Sequence, residues 1–139
     1  MIGNEDWSLK HLRNTKMIEM PNGKVRVIPY DFDSAGLVNA AYARPDRDLR
    51  LETVLQRQFM GSFTNKKERA ITIDYIISKK QELLQTVQTI AHLNEVGKKQ
   101  ASQYINDFFN IIENRTSLNM AMPVKGRTPF STDTNGAMR

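Results

Sequence analysis

Cysteine is absent from the chain of 139 residues, which excludes disulfide frameworks, zinc fingers, iron–sulfur centres and thiol nucleophiles. Histidine is nearly absent: His11 and His92 stand alone, too few for a histidine-rich metal site. No apolar run approaches the roughly 18 residues that a membrane-spanning helix needs. The first residues lack the basic-then-apolar layout of a secretory signal. Glycine and proline are sparse, at 7 and 5, and 40% of the residues are hydrophobic against 25% charged. Collagen-like, coiled-coil-only and wholly disordered classes are therefore out, and one ordinary domain is expected.

The net charge of +5 invites a nucleic-acid reading, but the excess is thinly spread. It is +1 over residues 1–50, +2 over 51–115 and +2 over 116–139. A face that binds phosphate backbones concentrates its charge more than this. The short basic clusters at Lys66, Lys67 and Arg69, at Lys79 and Lys80, and at Lys98 and Lys99 read as solvated helix faces. No nucleic-acid or membrane partner is expected.

Turn residues and hydrophobic periodicity predict a fold that is α+β and mostly α. A β-hairpin segment, residues 1–50, packs on about three helices drawn from residues 51–114. Two alternating runs, residues 16–20 and 24–28, flank Pro21-Asn22-Gly23, a strong hairpin signal. Pro29 ends the second strand near Tyr30. A short helix is expected over residues 51–59, broken near Gly61. A second runs over about 66–90, capped by Asn65 with Glu68 three residues on. Its stripe is Ile73, Ile76, Ile77, Leu84, Val87 and Ala91. A third follows Gly97, with Ala101, Tyr104, Ile105, Phe108 and Ile112 as its stripe, widened by Phe109 and Ile111. Met17, Met20 and Met60 read as gap fillers. Residues 115–139, rich in turn formers, read as a flexible tail.

Oxygen ligands concentrate before residue 50. Asn14 precedes the first strand and Asp31 follows the second, so the doubling back of the hairpin brings both to its open end. With Asp33 beside them, a carboxamide and two carboxylates make a hard-oxygen site suited to Mg²⁺ or Mn²⁺. Local alternatives stand beside this reading. Asp6 could cap a helix through Leu9, Leu12 and Lys16, Asn14 could be a turn residue, and Asp31 and Asp33 could pair with Lys16 or Arg26. Trp7 and Tyr30 read as packing residues, and neither Ser8 nor Ser34 has the partners of a hydrolase triad.

The order Asp6, Asn14, hairpin, Asp31-Phe32-Asp33 resembles a kinase active site, in which a catalytic-loop Asp, a metal-binding Asn and a second metal-binding Asp follow one another. The eight-residue step from Asp6 to Asn14 is longer than that of ordinary protein kinases. It looks more like the divergent kinase-like families related to HipA and to the spore-coat kinase CotH. A closer resemblance is to a largely uncharacterised family of bacterial proteins common in Bacteroidetes-type genomes. It is carried by Met1-Ile2-Gly3-Asn4-Glu5-Asp6-Trp7-Ser8, by Arg13-Asn14-Thr15-Lys16 and by residues 29–43, and it extends to about residue 114. Glu5 and Arg13 depart from the Thr and His usual there.

The resemblance implies that residues 1–114 are part of a kinase C-lobe, the C-terminal portion of a longer protein whose N-lobe lies upstream. It implies ATP- and Mg²⁺-dependent phosphoryl transfer to an unknown acceptor. Asp6 would be the catalytic residue, Asn14, Asp31 and Asp33 the metal ligands, and Lys16 a phosphate contact. Without a Gly-rich phosphate loop and a strand-borne Lys, this chain alone is expected to be inactive. The face meant for the N-lobe would favour self-association. The reading from another class is a non-enzymatic helical interaction module built on residues 51–114.

Overall fold

The computed structural model describes residues 1–8 and 11–124. Strand β1, Thr15–Glu19, pairs antiparallel with β2, Val25–Pro29, with Thr15 opposite Pro29 and Glu19 opposite Val25. Pro21 and Asn22 occupy the centre of the turn. Gly23, at φ 74°, supplies the left-handed residue that returns the chain to Lys24. The Asn22 side chain accepts from the Lys24 N–H at 3.1 Å. Thr15 is buried at the base, whereas Met17, Ile18, Val25, Val27 and Ile28 are exposed. Neither strand packs on a helix. The hairpin segment meets the helices through the residues on either side of the strands.

Among the described residues four α-helices follow: α1 Lys66–Ser78, α2 Lys80–Thr89, α3 Glu95–Glu113 and α4 Arg115–Ala121. Asparagine caps three of them. The side chains of Asn65, Asn94 and Asn114 accept from the N–H of Glu68, Gly97 and Ser117 at 2.8–2.9 Å. Glu68 reaches back to the Thr64 N–H and hydroxyl, completing a box one residue earlier than the cap itself.

The alignment differs from the expected one in three places. The long helix over 66–90 is two helices, parted at Lys79, where the Lys79 N–H turns to the Ile76 carbonyl and Ser78 Oγ donates to the Tyr75 carbonyl at 2.7 Å. Residues 51–59 form no helix. The Gln56 side chain instead accepts from the Glu52 and Thr53 N–H groups, and Arg57 is drawn off to the carbonyls of Met1 and Tyr104. Part of the expected tail is α4, held to α1 by Arg69, which donates to the Met122 carbonyl and to Asn119 Oδ1. The remainder of that tail lies outside the described residues.

Ile73, Val87, Ile105, Phe108, Phe109 and Ile112 form the core, with Leu37, Ile76, Ile77, Leu84 and Ala101 at its margin. This is the predicted pair of stripes, except that Phe109, expected at the edge, is the most buried side chain, and Ala91 lies beyond α2 and is exposed. Met17, Met20 and Met60 fill no gap; all three are exposed. Three lysines of these clusters carry partners: Lys79 pairs with Glu82, Lys98 with Glu95, and Lys80 ties α2 to Glu113 of α3. Among the described residues no helix is long and apolar enough to cross a membrane.

Residues 1–8 dock this body. Gly3 and Ile2 accept from the N–H groups of Gly36 and Leu37 at 2.9 and 3.0 Å, laying the two segments side by side. The Tyr104 ring of α3 rises into this seam, and a Cβ at either Gly3 or Gly36 would collide with its hydroxyl. Arg57 stacks 3.4 Å above the other side of the ring.

Candidate active site

The open end of the hairpin gathers Asp6, Asn14, Asp31 and Asp33. Ser8 and Arg13 exchange both backbone hydrogen bonds, at 3.0 and 3.1 Å, so the chain loops back and sets Asn14 beside Asp6. Asn14 Nδ2 donates to Asp6 Oδ2 at 2.8 Å, and Arg13 Nη1 lies 3.3 Å from Oδ1. The Asp6 N–H donates to Asn4 Oδ1 at 2.8 Å, so the carboxylate stands on an Asx turn rather than on a helix. Trp7 Nε1 donates to the carbonyls of Tyr30 and Asp31 at 3.0 and 3.3 Å, and Asn4 Nδ2 donates to the Asp31 carbonyl. Trp7 thus clips the segment that carries Asp6 to the end of β2, with Phe32 packed edge-on against its ring.

Asn14 and Asp31 both adopt left-handed backbone, at φ 47° and 57°. Asn and Asp tolerate this region better than other side chains, yet it carries strain that the surrounding contacts must hold. The kink at Asp31 turns its carboxyl to Asp33. The Asp33 carboxylate raises the Asp31 carboxyl above the usual range, through a shared hydrogen bond and like-charge repulsion, with a smaller push from Asp6. Asp33 is held below its usual range because the Tyr42 hydroxyl donates to its Oδ2 at 3.0 Å and Ser34 donates to Oδ1.

Asp6 and Asn14 are therefore one pair, and Asp31 and Asp33 another. Among the described residues no three His, Cys, Asp or Glu side chains converge as a metal-ligand group. Lys16 stands on β1 with Nζ 5.6 Å from the ring of Tyr30, the neighbour of Asp31. His11 and His92 are exposed.

The sequence reading did not single out Tyr42, Arg44 or Arg47. Glu5 Oε2 accepts from the Asp46 N–H at 2.8 Å, bringing the short 3₁₀ turn Arg47–Leu49 against the Asp6 loop. The result is a cavity of about 340 Å³ lined by Glu5, Asp6, Arg13, Ser34, Arg44 and Arg47, among others. Pro45-Asp46 is a turn signal in the sequence, but its partner lies 41 residues away.

No family model matches the chain, no curated protein matches it, and no solved structure matches it.

Proposed function

We propose that this chain is the C-terminal, kinase-like portion of a longer protein that transfers the γ-phosphoryl group of ATP to an acceptor hydroxyl. The observation that carries this reading is that one hairpin brings two pairs to its open end, Asp6 with Asn14 and Asp31 with Asp33, with Asn14 and Asp31 on strained backbone. Asp6, oriented by Asn14 and Arg13, would accept the proton of the acceptor hydroxyl. Mg²⁺ or Mn²⁺ would be held by Asp31 and Asp33, with Asn14 beside them. Asp31 is raised first by a shared hydrogen bond with Asp33 and then by their repulsion, and a divalent cation between the two carboxylates would relieve that repulsion. Bound metal would neutralise charge on the transferred phosphoryl group. The ATP-gripping groups and the rest of the nucleotide site would come from the upstream lobe.

Trp7 lies against the Asp31 carbonyl and reports on the site. Titration with Mn²⁺ is expected to quench its fluorescence saturably, and Asp31→Asn is expected to abolish the effect. A wild-type chain whose emission ignores Mn²⁺ overturns the metal assignment.

The helical interaction module is the second reading. It is supported by a cavity of about 410 Å³ lined in part by Phe59, Phe108, Ile111, Met120 and Met122, large enough to receive a partner's apolar side chain.

A further inference from the structure

The cavity beside Asp6 has a chemistry that phosphoryl transfer alone does not require. Three guanidinium groups line it, from Arg13 on one segment and from Arg44 and Arg47 on another. Each of its three carboxylates is engaged from within the chain through at least one oxygen. Asp6 takes Asn14 and Arg13, Glu5 Oε2 takes the Asp46 N–H, and Asp46 takes the Asp48 N–H at 2.9 Å. Glu5 Oε1 has no hydrogen-bond partner among the described residues, but it is buried away from solvent. The arginines are less committed. Arg44 donates only through Nη1, to the carbonyls of Ala41 and Ala43, and Arg47 has no hydrogen-bond partner among the described residues. Neither forms an ion pair there, since the arginine–carboxylate bridge in this region is Arg13 to Asp6.

The cavity therefore keeps free donors on Arg44 and Arg47, planar groups that share the lining with Arg13 of another segment and with the three carboxylates. Such an arrangement suits a tetrahedral oxyanion better than a single flat fork does. Its volume fits a small molecule rather than a polymer. The backbone carrying Arg44 and Arg47 is tied by the Glu5–Asp46 contact, and Arg44 grips two carbonyls, whereas the exposed Arg47 side chain is free to close on a ligand.

We infer that this pocket binds the phosphate group of a small hydroxyl-bearing molecule, which makes the acceptor of the transferred phosphoryl group itself a phosphomonoester. The inference rests on the assignment of Asp6 given above. The anionic group would sit among Arg13, Arg44 and Arg47 and present a hydroxyl toward Asp6 on the same wall.

The test is a titration of the chain with inorganic phosphate, read site by site from the arginine Nε–Hε resonances, against sodium chloride at matched ionic strength. Saturable shifts at Arg13, Arg44 and Arg47 with phosphate and not with chloride are expected. Arg47→Gln, which breaks no contact within the described residues, should weaken phosphate binding about tenfold. Lys66→Gln, on the far helical surface, should leave it unchanged. Shifts that follow chloride equally, or equal losses in the two variants, mean general charge screening and overturn the pocket. Asp31→Asn separates the two readings, because it should abolish the Mn²⁺ response and spare phosphate binding. Phosphate binding in a chain indifferent to Mn²⁺ would sink the phosphotransferase reading and keep the pocket as an anion site. A Mn²⁺ response without phosphate binding would do the reverse.

Discussion

The Asn14 carboxamide donates to the Asp6 carboxylate across 2.8 Å while its own backbone is held at φ 47°. One residue thus both orients the candidate base and absorbs the strain of the loop that delivers it. Asn14→Gly and Asn14→Ala lose the same hydrogen bond, but only alanine must bear the left-handed backbone. The alanine variant is expected to be less stable than the glycine variant by about 1 kcal/mol in urea unfolding. Equal stabilities would show that Asn14 leaves the left-handed region in solution.

Asp31 is raised by Asp33, so the pair controls how metal binding depends on pH. Protons compete with Mn²⁺ for Asp31 as pH falls through its elevated pKa, and affinity should start to fall at a higher pH than for an ordinary aspartate. In Asp33→Asn the Asp31 carboxyl should return toward its usual value, as read by carbon NMR titration. An unchanged midpoint would show that the two carboxyls do not interact.

The same repulsion has a sign in stability. A carboxyl whose folded pKa is raised opposes folding above that pKa and ceases to do so as the pH falls through it. Asp31→Asn, which removes the charge and keeps a side chain tolerant of φ 57°, should therefore melt no lower than wild type at pH 7. A markedly lower melting temperature would mean that Asp31 is held by attraction, not repulsion.

Tyr104 carries a buried hydroxyl with no hydrogen-bond partner among the described residues. Tyr104→Phe should leave the unfolding free energy unchanged or raise it by about 1 kcal/mol, since it removes an unsatisfied polar atom. Gly36→Ala should cost about 1–3 kcal/mol, because the new methyl meets both that hydroxyl and the Val54 carbonyl. Combining the two substitutions should recover only part of the loss, as the carbonyl remains.

Phe109 is the largest side chain with no exposure. Phe109→Ala should cost about 3–5 kcal/mol through lost burial and the cavity left behind. A loss below about 1 kcal/mol would place the true core elsewhere.

Much of this arrangement is legible because its causes are local. The Asn-Gly turn announces the hairpin, Asn65 announces its helix, and the apolar stripes anticipate Ile73, Val87, Ile105, Phe108 and Ile112. The neighbourhood of Asp6, Asn14 and Asp31 follows from a hairpin doubling back on itself. Other features depend on contacts that periodicity does not carry. The helix parts at Lys79 although the apolar stripe continues past it. Arg57 leaves its expected helix for a ring 47 residues away. Arg44 and Arg47 reach the site only because Glu5 grips the backbone at Asp46.

The fit of Tyr104 between Gly3 and Gly36 has a mechanical consequence. All six buried side chains of the core cluster lie between residues 73 and 112, whereas Asp6, Asn14, Asp31 and Asp33 all precede residue 34. The chain therefore has two tiers of cohesion joined by an aromatic clasp. Amide exchange should rank accordingly, with the loop amides of residues 2–8 and 30–37 opening well before those of α3. Loss of the clasp would release the chemistry-bearing half while leaving the helical half folded.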